Sequence, residues 1–134
     1  MILVDTGPLV ALVDYDDQYH SQCLEVWRTL SEPIGTVWPV LSETMHLLSD
    51  RAAAQQGVWE MMERLSLSLL PLGLADIPQI RALMTKYADQ AMDLADAALI
   101  HVAEREGLRK IFTVDKKDFA VYRLHGRTRP VLLP

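Results

Sequence analysis

Five carboxylates sit where they could work together. Asp5 directly follows the apolar run at 2–4, and Asp115 directly follows the run at 110–114. Glu43 lies in the first turns after Pro39, and Asp93 and Asp96 open a stretch that is apolar from Ala97 to Ala103 except for His101. A spacing of three puts Asp93 and Asp96 on one helix face. A helix bound for the interior gains nothing from ionised groups at its head unless something pairs with them, because burying unpaired charge is costly. Two carboxylates about 4 Å apart repel by roughly 4 kcal/mol at an effective dielectric of 20. Several in one cleft therefore require a counter-charge, of which helix N-terminal dipoles supply only part. Oxygen donors, with one cysteine in the chain and no histidine cluster, suit Mg²⁺ or Mn²⁺ rather than a structural zinc. Such an ion activates water and stabilises the attacking and leaving oxygens of a phosphodiester. Each acid also has an ordinary reading. Asp93 fits a helix N-cap bonding backbone near Asp96, Asp5 a turn, and Glu43 a first-turn acid favoured by the helix dipole. Asp115 and Asp118 flank two lysines and fit a solvated loop.

What brings these acids together is the order of elements. Short apolar runs at 2–4, 34–38, 67–72, 110–114 and 130–133 read as strands. Between them, 7–13 reads as a helical turn or short helix. Residues 20–30 place Cys23, Leu24, Trp27 and Leu30 at helical spacing. Pro39 suits the first turn of a helix carrying Leu41, Met45 and Leu48. Further helices are predicted over about 51–65, 76–88 and 93–106, the last ending at Gly107 as a C-cap. Strands alternating with amphipathic helices imply an α/β fold with a parallel sheet covered on both faces. Ligand sites in such folds lie beyond the carboxyl ends of the strands. On this reading five carboxylates from four segments, Asp5, Glu43, Asp93, Asp96 and Asp115, meet at that edge.

Composition narrows the setting. The 134 residues suit one domain over 1–134 with one core. No apolar stretch is long enough to cross a bilayer, and the opening MILVDTGPL has no basic n-region, so it does not read as a secretory signal. One cysteine, Cys23, excludes an intrachain disulfide and fits the cytoplasm; among Leu24, Val26 and Trp27 it reads as core filler. A net charge of −5 argues against a general electrostatic grip on nucleic acid. Yet eight of the thirteen Lys and Arg residues fall between Arg105 and Arg129, so a locally basic face is as open as a solvated surface.

Four motifs in order, ILVDTGPLVAL at the start, SETMHLL at 42–48, DLADAALIHVAE at 93–104 and IFTVDKKDF at 111–119, span nearly the whole chain. Together they resemble the PIN-domain family and, within it, the VapC-type toxin ribonucleases. The resemblance implies a PIN-like three-layer α/β/α sandwich with a central parallel sheet of four to five strands. It also implies a Mg²⁺- or Mn²⁺-dependent endoribonuclease. It carries over Asp5, Glu43, Asp96 and Asp115 as the core acids, with Asp118 often accompanying the last; Asp93 is an additional acid whose role stays open. Thr6 and Thr113 match hydroxyl positions near the family's site. None of the core acids is missing. Kinship with these toxins further implies an RNA substrate, a small antitoxin partner whose tail reaches the site, and a homodimer. Apolar surface on the helices at 40–49 and 51–65 points toward a dimer as well.

Other readings belong to other classes. One is a PIN-like interaction module without activity. Another is a phosphatase with Asp5 as nucleophile, against which Gly7 stands where such enzymes need a second Asp. A phospho-receiver needs an acid straight after the third strand, and LSLLPLGL has none. Among lesser candidates, His46 reads as a packed or groove-lining side chain, His101 as a satisfied core histidine, and His20 as exposed or at the cleft mouth. Trp27, Trp38 and Trp59 read as packing residues, with base stacking open to one of them. Lys116, Lys117, Arg123, Arg127 and Arg129 are candidates for phosphate contact or plain solvated surface.

Overall fold

The computed structural model describes residues 1–64 and 66–134. Five strands, β1 (Ile2–Val4), β2 (Ile34–Thr36), β3 (Ser68–Leu69), β4 (Lys110–Phe112) and β5 (Val131–Leu133), form one sheet in the order β3-β2-β1-β4-β5. Every pairing is parallel, with Leu3 opposite both Gly35 and Ile111. Parallel neighbours need crossovers, and helices supply them: α1 (Thr6–Val13), α2 (His20–Thr29), α3 (Trp38–Leu47), α4 (Ala52–Glu63), α5 (Ile77–Lys86), α6 (Leu94–Glu106) and α7 (Lys116–Val121). The crossovers run toward β3 before the third strand and toward β5 after it. Right-handed connections therefore set α1–α4 on one face and α5–α7 on the other. The strand order reverses between β1 and β4, the point at which such sheets open a crevice.

The strands end sooner than their apolar runs. The second run was expected to reach Trp38, but the strand stops at Thr36, and Trp38 and Pro39 already form the first turn of α3. Backbone pairing outlasts the assigned strands: the Asp5 N–H donates to the Phe112 carbonyl at 2.9 Å, and the Thr113 N–H to the Leu133 carbonyl at 2.9 Å. The helix expected over 51–65 spans Ala52–Glu63, and position 65 lies outside the described residues. A short helix, α7, occupies the stretch after Asp115 that had read as a loop.

Helix α6 is the central one, buried from Ala97 to Ala103 against the sheet. It ends at Gly107, whose φ of 68° is the left-handed conformation that glycine adopts without a Cβ penalty. His101 is satisfied as expected: its Nε2 lies 2.7 Å from Asp76 Oδ1, to which Arg105 Nη1 also donates at 3.0 Å. These bonds clip the start of α5 to α6. Cys23 is fully buried in the core. A second apolar cluster, Leu41, Leu48, Ala54 and Val58 with Val10, Val13 and Met45, joins α1, α3 and α4. Among the described residues no helix is long and apolar enough to cross a membrane.

Candidate active site

Three helices begin at the carboxyl edge of β1 and β4, and each is preceded by an aspartate. Asp5 precedes α1, Asp93 precedes α6 and Asp115 precedes α7. The last two follow one rule. In DLAD the Asp93 Oδ1 accepts the Asp96 N–H at 2.8 Å, and in DKKD the Asp115 Oδ1 accepts the Asp118 N–H at 3.2 Å. Each N-cap side chain so satisfies a donor that the helix leaves open, and sets a second aspartate one turn in. Glu43 comes from the middle of α3, which touches α6. Just before Asp93, Ala91 turns the chain in the left-handed conformation (φ 53°), at a cost of about 1–2 kcal/mol for a residue with a Cβ.

The result is a cleft of about 260 Å³ walled by Asp5, Glu43, Asp93, Asp96, Asp115 and Asp118, with Thr6, Gly7 and Val114 among its other walls. The structure therefore brings together all six acids singled out in the sequence. Among the described residues no lysine or arginine lines the cleft. Gly7 allows the close approach of α1 to the β4 end: a Cβ there would fall 2.4 Å from Val114 Cγ2. That contact also leaves no room at position 7 for the acid/base aspartate that a phosphatase reading would need.

The electrostatics follow from burial. Asp5, 7% exposed, has its pKa pushed up to about 6 by desolvation, with the charges of Glu43 and Asp93 adding to the rise and the Thr113 hydroxyl opposing it. Asp96 is pushed up to about 7, again first by desolvation and then by Asp93, Asp5 and Asp115, against a lowering bond from Tyr122. Burial and Asp93 raise Glu43, and burial and Asp115 raise Asp118. Hydroxyls organise the oxygens. Thr113 Oγ1 donates to Asp5 Oδ2 at 2.9 Å while accepting the Asp115 N–H at 3.0 Å, so one threonine ties the two strand-end acids. The Tyr122 hydroxyl donates to Asp96 Oδ2 at 2.7 Å. Thr6 Oγ1 is buried at the cleft wall and faces Glu43, whose charged form it favours, without a bond of full hydrogen-bond geometry among the described residues.

Among the described residues no three His, Cys, Asp or Glu side chains already stand at metal-ligating distances. The donor set nevertheless fits a hard divalent cation: six carboxylates, a buried hydroxyl beside Glu43 and, among the described residues, no competing lysine or arginine. Burial and mutual repulsion raise Asp5, Asp96, Glu43 and Asp118, and a cation in the cleft would offset both.

The remaining candidates divide. A neighbouring groove of about 520 Å³ shares Glu43 and Asp93 with the cleft and adds His46, Ser42, Leu94 and Trp38. Trp38, expected to pack, is instead 56% exposed there because it opens α3 at the molecular edge. His20 lies away from the cleft, its Nδ1 2.6 Å from the Ala11 carbonyl. Arg123 is spent on the carbonyls of Ala120, Val121 and Tyr122, and Lys116 donates to the Pro134 carbonyl. Tyr122 escaped the sequence reading altogether: nothing in DFAVYRL marks that tyrosine as facing an acid 26 residues earlier.

Comparison with known proteins agrees with this architecture. The chain is 28% identical over 135 residues to "Ribonuclease VapC26" of Mycobacterium tuberculosis, covering 99% of this chain and all of that protein. It superposes on the crystal structure of Mycobacterium tuberculosis VapC20, described as a Sarcin-Ricin loop cleaving toxin, with TM-score 0.76 at 21% identity over 88% of this chain and 92% of that one. A toxin-antitoxin complex from Klebsiella pneumoniae gives TM-score 0.71 at 16% identity, covering 100% and 97%. These likenesses extend to the parallel five-stranded sheet with its flanking helices, the fold the four motifs led one to expect. The PIN domain model matches residues 2–124, and the chain belongs to the PIN-domain family.

Proposed function

We propose that this chain is a Mg²⁺- or Mn²⁺-dependent endoribonuclease, a single nuclease domain that serves as the toxin of a type II toxin–antitoxin pair. One observation carries the reading: six carboxylates wall one cleft, with no lysine or arginine lining it among the described residues. An RNA phosphate entering such a cleft meets only repulsion unless cations intervene. Asp5, Glu43, Asp96 and Asp115 are the ligands expected to hold them, with Asp93 and Asp118 adding charge from the flanking N-cap turns. A divalent ion held there supplies activated water and charge stabilisation at the scissile phosphate. Thr113 fixes Asp5 and Asp115 relative to one another through its two hydrogen bonds. The Thr6 hydroxyl offers an oxygen to water at the cleft wall. Membership in the PIN family and the name of the VapC26 relative support the ribonuclease reading; likeness to a toxin-antitoxin complex supports a small antitoxin partner. A homodimer and cytoplasmic action on RNA complete the proposal.

The test is cleavage of structured RNA by the purified protein. Mg²⁺ or Mn²⁺ is expected to be required, and Asp5→Asn to remove at least 99% of the rate while leaving the circular dichroism spectrum unchanged. Full activity in excess EDTA, or in Asp5→Asn, contradicts the proposal.

A further inference from the structure

We propose that Tyr122 is a positioning residue for the cation site: its hydroxyl holds the Asp96 carboxylate in place at the cleft wall, where it would help hold the ion. This rests on the metal-dependent reading above and adds to it a residue outside the acid constellation. The geometry is direct. Tyr122 Oη lies 2.7 Å from Asp96 Oδ2, and Tyr122 is wholly buried.

The phenol is fixed by the fold rather than by Asp96. Its ring packs edge-on against Phe119 and Tyr87, both at 5.1 Å between centroids. The Tyr87 hydroxyl accepts the Arg123 N–H at 3.0 Å, and the Arg123 guanidinium binds three carbonyls at the end of α7. The donor's position is therefore set before any ion arrives. Its chemistry matters as much as its place. A lysine or arginine at this point would neutralise Asp96 and compete with the cation, whereas a neutral hydroxyl orients the carboxylate and leaves its charge for the metal. Thr113 does the same for Asp5 Oδ2. The two most perturbed acids of the cleft thus each receive one neutral hydroxyl donor from a fully buried residue.

The test compares Tyr122→Phe with Tyr87→Phe, which deletes a hydroxyl from the same aromatic stack without touching Asp96. Mn²⁺ binding is measured by calorimetry on each full-length protein. Tyr122→Phe is expected to weaken Mn²⁺ by about tenfold or more, and Tyr87→Phe, which removes the bond to the Arg123 N–H but leaves the Tyr122 hydroxyl in place, to lose clearly less. In the Asp96→Asn background, Tyr122→Phe should add no further loss. Wild-type affinity in Tyr122→Phe, or equal losses in both tyrosine variants, overturns the proposal while leaving the metal site standing. A wild type whose Mn²⁺ binding is absent or indifferent to Asp5→Asn overturns the metal reading and this proposal together. Should Tyr122→Phe fail to fold, wild type labelled at tyrosine ¹³Cζ gives the same answer: Mg²⁺ is expected to shift the Tyr122 resonance more than that of Tyr87, and an unmoved Tyr122 overturns the assignment.

Discussion

At the scale of single residues, the cleft contains acids whose charged forms burial disfavours. Asp5 and Asp96 titrate near 6 and 7 because burial disfavours their charged forms. The sign of the consequence is fixed. From about pH 4 upward the unfolded chain releases protons that the folded chain still holds, so the ion-free protein loses stability as pH climbs toward 7 and then levels off. Asp96→Asn deletes the Asp96 part of that penalty, and its ion-free melting temperature should exceed that of wild type at pH 7.5 and match it more closely at pH 4. Differential scanning calorimetry at the two pH values checks this; a variant less stable at both contradicts it. Most of the acids were legible in the sequence because they follow a strand or stand in the first turn of a helix, whereas Glu43 lies in the middle of α3. Their hydroxyl partners were less so. Thr6 and Thr113 came only through family resemblance, and Tyr122 not at all, since its contact is made by the path of the chain after α7 and by no local pattern.

At the scale of elements, the site depends on where helices begin. Asp93 was expected to be either a cap or a site acid, and it is a cap that also walls the cleft. The two roles separate by substitution. Asp93→Asn keeps the acceptor for the Asp96 N–H and removes charge, whereas Asp93→Ala loses both. Chemical denaturation should find the alanine variant less stable than the asparagine variant by about 1 kcal/mol. Equal stabilities would show that the cap contributes nothing. The same D-x-x-D spacing recurs at Asp115 and Asp118, yet α7 went unread: six residues with two lysines at the front carry too little apolar periodicity to announce a helix. Strand ends were overread for a related reason. Apolar residues continue past Thr36 because the first turn of α3 is itself partly buried, and periodicity does not distinguish the two over so few residues. Between α1 and β4, Gly7 leaves room for Val114 and nothing more. Gly7→Ala should cost about 1–3 kcal/mol through overpacking and weaken divalent-ion binding by separating Asp5 from Asp115. An unchanged melting temperature and unchanged Mn²⁺ affinity would contradict that geometry.

At the scale of the whole molecule, two opposing titrations shape stability. The raised acids of the cleft favour low pH, while Asp76, held well below the usual carboxylate range first by its bond to His101, contributes stability that is present above about pH 4 and is lost as pH falls through its native pKa. The ion-free protein should therefore be most stable at about pH 4–5, an unusual optimum that a divalent ion would move upward. The surface keeps Leu47 on α3, Trp59 on α4, Ile77 on α5 and Leu94 on α6 exposed. The proposed dimer predicts a species of twice the chain mass at micromolar concentration in sedimentation, and a monomer alone would count against it. The central claim, that the clustered acids form one cation site, meets its most direct test in thermal melts of wild type and Asp96→Asn at pH 7.5 with and without millimolar Mn²⁺. At about a hundred times its dissociation constant the ion should add about 2.7 kcal/mol to wild type, roughly 8–11 °C for a chain of this size. Asp96→Asn should start higher and gain far less. Equal Mn²⁺ shifts in the two proteins would remove Asp96 from the site, and no shift in wild type would contradict the cation site itself.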